Sequence, residues 1–169
     1  MLKLCINKSD SIVLCTIIIV LILARLNNFL TFHVLAELFS ICIAFTLFLV
    51  GWSSRKLIQN NVFTFISISC FYVGFTDVLH LISFKGMNLI TGVSTNEAAQ
   101  TWMISRFLQT ALFLYLALAT KKFFNDTILF VVYFFLTLVL LFTVFIIPIF
   151  PNCFIEGSGV TPLDRKSVV

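Results

Sequence analysis

The chain has 169 residues, of which 60% are hydrophobic and only 11% are charged, and its formal net charge is +4. Soluble domains carry about 25% charged residues, so this composition excludes an ordinary soluble enzyme and predicts an integral membrane protein in contact with the lipid bilayer. The sequence contains no basic patch with interleaved aromatic residues, and a nucleic-acid partner is therefore not expected.

Five apolar segments are long enough to cross a bilayer, which takes about 20 residues in a helix. They cover residues 11–30, 32–52, 61–82, 100–119 and 127–149. Because the runs are long and show no alternation of period two, they predict an all-α, polytopic transmembrane helix bundle rather than a β-barrel. The first run follows Lys3 and Lys8 as in a signal peptide, but no small-residue cleavage site follows it. We therefore expect it to remain as the first span.

The placement of basic residues predicts the orientation of the bundle. Basic residues in short loops mark the cytoplasmic side of a membrane. The links SSRK (53–56) and KKFFND (121–126) lie on the same side as the N-terminal lysines if all five segments span. The N-terminus is then cytoplasmic, in the plasma membrane. The predicted regions are a cytoplasmic N-terminus (1–10), a transmembrane domain (11–150) and an external loop (151–163).

Two segments outside the spans carry specific signals. STNEAAQ, before the fourth span, predicts a helix start with Ser94 or Thr95 as the N-cap and Glu97 in the first turn. The last six residues, DRKSVV (164–169), have one back-translation that matches a common sequencing-library adapter. This match predicts that the tail is non-native and that the natural chain continues with other residues after position 163; an ordinary short basic tail is the alternative.

Seven polar or aromatic side chains fall at a similar depth, toward the external ends of the second, third and fourth spans. They are His33, Glu37, Asp77, His80, Trp102, Arg106 and Gln109. Within each span, helical spacing puts them on one face, together with small residues such as Ser40, Ser67 and Gly74. A charge in hydrocarbon costs about 2.5–3.5 kcal/mol on insertion scales, and such residues normally pair inside the bundle. The pattern predicts a shared ligand-binding pocket in the outer half.

Several chemistries fit such a pocket. A divalent metal such as zinc or iron would take His33, Glu37, Asp77 and His80 as ligands. A haem would lie between His33 and His80. A small anionic or polar ligand would be held by Arg106 against Trp102, and a cluster of His and carboxylates would sense protons. The plain alternative is that Arg106 neutralises a carboxylate and locks the helices together. The sequence carries no phosphate-binding loop and no hydrolase motif, so no catalytic residue is predicted.

Several ordered motifs resemble a known family. They are FHxxAELFSI, the SRK link, GFxDxLH followed by FKGM, WxxxRF and CFxEGxGxTP, over roughly residues 30–162. Together they resemble the third type of bacterial and archaeal membrane-associated sensor (MASE) domain. The resemblance implies a multi-helix sensory module that precedes a cytoplasmic output unit, such as a histidine kinase of a two-component system or a diguanylate cyclase in cyclic-di-GMP signalling. It implies no ligand and no role for individual residues.

The resemblance also implies partners. The expected partner is a C-terminal cytoplasmic output domain, which this chain lacks, and a second copy of the chain is an open alternative. A transporter, or a haem- or metal-binding electron-transfer subunit, is the alternative function. A transporter is expected to show broken helices or internal repeats, and the sequence has neither.

Overall fold

A computed structural model describes residues 7–58, 61–87, 89–90, 92–118, 125–155 and 159–161. Within these residues the chain forms five helices and one short antiparallel hairpin. The helices are α1 (Lys8–Asn27), α2 (Phe29–Ile58), α3 (Asn61–Ser83), α4 (Thr95–Leu118) and α5 (Asp126–Phe145), and the strands are β1 (Phe154–Ile155) and β2 (Gly159–Val160). Each helix is long and apolar enough to cross a membrane. The predicted all-α transmembrane fold is confirmed.

The end of α2 differs from the sequence prediction. The SSRK segment, predicted as a link, lies in the last turns of the helix, which runs on to Ile58. Arg55 and Lys56 are in the last turn, where positive charge interacts favourably with the helix dipole. The Arg55 guanidinium also lies 3.9 Å from the centre of the Trp52 ring and donates to the Trp52 carbonyl. These contacts keep the polar segment helical.

The ends of α4 and α5 follow local signals. α4 begins at Thr95, earlier than the predicted span, with Glu97 in its first turn as the STNEAAQ pattern predicts. The backbone N–H of Ser94 donates to the Glu97 carboxylate, which is half of a capping box. α5 ends at Phe145, ahead of Pro148, which cannot continue a helix. The predictions for Lys3, for 121–124 and for the tail 164–169 lie outside the described residues.

The chain divides into two compact units, Met1–Phe39 and Ser40–Val169. In the first unit, α1 exposes almost all of its side chains, most of them apolar. An isolated apolar helix surface of this kind is typical of contact with lipid. The boundary between the units falls within α2, directly after Phe39.

The core of the second unit lies where α3, α4 and α5 meet. Its buried members are Phe65, Ile68, Tyr72, Ile104, Leu108, Leu112, Leu129, Tyr133 and Val144. The Tyr72 hydroxyl donates to the backbone carbonyl of Phe130 at 2.9 Å and ties α3 to α5. Phe65 stacks on Tyr115 with ring centres 4.4 Å apart, which ties α3 to α4. α3 is therefore the central helix of this unit.

Small residues bring α3 close to the second half of α2. A methyl group added at Gly51 would collide with the side chain of Ser67, and one added at Gly74 would lie 3.2 Å from the Ala44 methyl carbon. Membrane helices use small residues in this way because lipid gives no hydrophobic driving force for association, and close packing must supply the attraction. The stripe that the sequence assigned to one face of the third span therefore points into the protein.

The chain after α5 folds back as a compact segment. Strands β1 and β2 pair with Phe154 opposite Val160 and Ile155 opposite Gly159. The backbone N–H of Thr161 donates to the Cys153 carbonyl at 2.9 Å, and its hydroxyl donates to the Asn152 carbonyl at 2.9 Å. Residues 150–155 and 159–161 are called the hairpin segment below. The sequence predicted only an external loop here.

Candidate functional site

Four of the predicted site residues contact one another between α3 and α4. Arg106 donates through Nη1 to the Gln109 side-chain oxygen at 2.8 Å, and its Nη2 lies 3.4 Å from Asp77 Oδ1. Its guanidinium carbon also lies 5.3 Å from the centre of the Trp102 ring, within the range of a cation–π contact. Asp77, Trp102, Arg106 and Gln109 are called the Arg106 cluster below.

The two charges of the Arg106 cluster differ in exposure. The Asp77 side chain is 7% exposed, whereas that of Arg106 is 34% exposed. The Arg106 Nε is buried and has no hydrogen-bond partner among the described residues. A guanidinium can offer Nε and Nη2 together to one planar carboxylate. Within the described ranges, Nε has no such partner and Nη2 makes a long contact with Asp77.

His80 lies buried near the end of α3, with its Nδ1 2.7 Å from the backbone carbonyl oxygen of Ala98 in α4. A carbonyl oxygen can only accept, so Nδ1 carries the proton. The Thr101 hydroxyl donates to the same oxygen at 2.8 Å. His80 therefore fastens the end of α3 to the first turns of α4, on the same side of α4 as the Arg106 cluster.

His33 and Glu37 form a pair in the first unit. They lie one turn apart on α2, with His33 Nε2 3.7 Å from Glu37 Oε1. The His33 ring stacks on Phe29 with ring centres 5.7 Å apart. These two residues and the Arg106 cluster belong to different units of the chain. A pocket shared by all seven residues, and the metal set of His33, Glu37, Asp77 and His80, stay predictions.

The sequence reasoning missed a group of contacts on the opposite side of α4. The Asn96 side-chain oxygen accepts from the backbone N–H groups of Cys153 and Phe154 at 2.9 and 3.0 Å. Gln100 Nε2 donates to the carbonyls of Phe150 and Pro151, both at 3.0 Å. The only sequence signal was the spacing of two amides one turn apart in NEAAQ, which places them on one helix face.

The Arg106 cluster has the chemistry of a binding site for a polar ligand. A guanidinium backed by an indole ring and a side-chain amide can bind an oxyanion or a carbonyl group. A metal or haem at His80 would have to use Nε2, because Nδ1 faces the Ala98 carbonyl. In metal sites, the histidine ring nitrogen that does not bind the metal commonly donates to a carbonyl oxygen. The contact of His80 with Ala98 is therefore compatible with a metal or haem site.

Comparison with known proteins gives the family. The sequence profile of the membrane-associated sensor domain matches residues 24–167, which is most of the chain. Neither a curated protein nor a solved structure matches the chain at a significant level. The matched region contains the whole of α2, α3, α4 and α5, the Arg106 cluster and the hairpin segment. The chain belongs to the membrane-associated sensor (MASE) domain family, of the third type.

Proposed function

We propose that this chain is the sensory input module of a signal-transduction protein whose cytoplasmic output unit is a histidine kinase or a diguanylate cyclase. A cue reaches the Arg106 cluster from the outside or from the membrane and changes how α3 packs against α4. The module itself catalyses no reaction. The observation that carries the proposal is the Asp77–Arg106 pair, which joins two membrane helices through a long contact, beside a guanidinium nitrogen that has no hydrogen-bond partner in the described part of the chain.

The electrostatics of the pair explain why a cue would act there. A buried ion pair holds two helices in one arrangement because separating it would leave an uncompensated charge in a medium of low polarity. A ligand group that binds Arg106 in place of Asp77 removes that constraint. The ligand can favour the second packing only to the extent that it binds that packing more tightly.

The orientation follows from the distribution of basic residues. Arg55 and Lys56 end α2, and the N-terminal lysines fall on the same side of five spans. We place this side in the cytoplasm and the whole module in the plasma membrane. The end of α3 that carries Asp77 and His80 then lies near the outer face.

The test compares variants of the full-length protein in its own cell membrane. Arg106→Gln should abolish the change in output activity that growth conditions produce in the wild type, and His80→Ala and Glu37→Gln test the remaining predicted positions. Phe113→Leu is the matched control, because Phe113 is exposed on α4 and contributes no polar group. Normal regulation in all three polar variants, at normal protein levels, would contradict the proposal.

The geometry of His80 supports a second candidate, a metal- or haem-binding membrane subunit. Its Nδ1–H faces a carbonyl, the arrangement that orients many ligating imidazoles. Protein purified from its native membrane would then contain stoichiometric metal, or show a haem absorption band in visible light, and His80→Ala would remove either signal. Colourless, metal-free protein that still regulates its output would exclude this candidate.

A further inference from the structure

α4 is held on two different faces. On one face, the backbone carbonyl of Ala98 meets His80 of α3, and Arg106 meets Asp77 of α3. Asn96 and Gln100 follow one another at helical spacing, and each lies about 200° around the helix from Ala98 or Trp102. Their side chains form hydrogen bonds with the hairpin segment. The first turns of α4 therefore connect the Arg106 cluster to the chain that leaves α5.

Five hydrogen bonds from two side chains fasten the hairpin segment. Asn96 accepts two backbone N–H groups through one oxygen and donates to the Asn152 side chain at 3.1 Å. Gln100, which is 4% exposed, donates to two successive carbonyls. Irregular backbone at a membrane surface needs such partners, because unpaired N–H and C=O groups are costly to bury. These two amides supply them.

We infer that Asn96 and Gln100 are positioning residues, which make the hairpin segment move with the helix that carries the Arg106 cluster. A displacement of α4 at the cluster then reaches the chain beyond α5 through these amides. The fastening itself is independent of the proposed function, whereas its use in signalling rests on it. The inference therefore adds to the proposed function a way for a change at the Arg106 cluster to affect the chain beyond α5.

The reactivity of the Cys153 thiol can measure how firmly these hydrogen bonds hold the hairpin segment. Its side chain is fully buried, and its backbone N–H is one of the two groups that Asn96 holds. A buried thiol reacts with a maleimide only when its segment opens locally, so the labelling rate follows the opening equilibrium. The experiment uses the whole chain in lipid nanodiscs, with Cys5, Cys15, Cys42 and Cys70 replaced by alanine.

Asn96→Leu and Asn96→Asp form a matched pair. Leucine removes the acceptor, and we expect labelling of Cys153 to become at least about tenfold faster. Aspartate keeps the acceptor oxygen and loses only the donation to Asn152, so its Cys153 should label much more slowly than in the leucine variant. Gln100→Leu removes the hydrogen bonds to the Phe150 and Pro151 carbonyls and should also speed the labelling of Cys153. It serves as the test if the Asn96→Leu protein does not fold. Background labelling in both leucine variants would overturn the inference.

Arg106→Gln then tests the positioning role. If α4 carries the hairpin segment with it, this change at the α3 contact of α4 should alter Cys153 labelling several-fold, whereas Phe113→Leu should not. Faster labelling in the leucine variants with no response to Arg106→Gln would overturn the positioning role. The proposed function fails separately, if Arg106→Gln leaves the regulation of output activity intact.

Discussion

At the scale of single residues, the Asp77–Arg106 pair is an ion pair that joins α3 to α4 in the second unit. Asp77 is nearly inaccessible, and the partly exposed Arg106 is braced by Trp102 and Gln109. Removing one member of a buried pair is harmful because the other charge remains, whereas removing both is often tolerated. The pair should therefore show strong non-additivity.

We expect Asp77→Asn and Arg106→Gln each to destabilise the protein, and the double variant to recover much of the loss. The coupling free energy should be about 0.6–1.7 kcal/mol, the range for polar pairs between membrane helices. The measurement is a double-mutant cycle of unfolding in mixed micelles. Additive effects would show that the two charges act independently.

The sequence predicts the Arg106 cluster better than it predicts the contacts of Asn96. Charges in a membrane span are costly, so depth and helical face alone direct Asp77 and Arg106 toward each other. A side-chain amide near the start of a helix can stay solvated at little cost in free energy, so the sequence gives no reason to expect a protein partner. The partner of Asn96 also lies more than 50 positions along the chain. The contacts of Asn96 depend on the tertiary structure, and only the structure shows them.

At the scale of elements, close packing of α2 on α3 depends on Gly51. Its α-carbon faces the Ser67 side chain, whose hydroxyl donates to the Phe63 carbonyl at 2.8 Å. The sequence correctly predicted the existence of these helices from hydropathy. It placed the end of α2 too early, since a polar segment stays helical when its cations favour the helix terminus.

Gly51→Ala should destabilise the protein by about 1–3 kcal/mol, because the new methyl group overpacks the interface. Ser67→Gly in the same chain removes the obstructing side chain and should restore part of the stability. Thermal unfolding followed by circular dichroism measures both variants. Wild-type stability in the single Gly51→Ala variant would mean that α2 and α3 do not approach each other this closely.

At the scale of the whole molecule, the fold class follows from composition, and the predicted orientation rests on the placement of charge. Hydropathy predicts the five membrane-spanning helices, because an unpaired backbone N–H or C=O group in lipid is costly and a helix pairs these groups within itself. The hairpin after α5 escaped prediction, because two strands of two residues each leave no periodic signal. Its pairing is supported by α4, which lies far away in the sequence.

Reporter fusions test the predicted orientation. Alkaline phosphatase is active only outside the cytoplasm, so a fusion after Ile90, between α3 and α4, should be active. A fusion after Ile58, at the end of α2, should be inactive and should yield fluorescence with a cytoplasmic fluorescent reporter. The opposite pattern would place the N-terminus outside and reverse the assignment of the cluster to the outer face.

The chain contains only two tryptophans, and each lies beside an arginine at a different end of the second unit. Trp52 is near the end of α2, and Trp102 is in the first half of α4. Replacing either one by phenylalanine leaves a single indole emitter. The protein thus carries two intrinsic optical probes, and brominated lipids can measure the depth of each one. A cue bound at the cluster should shift the emission of Trp102 and leave that of Trp52 unchanged.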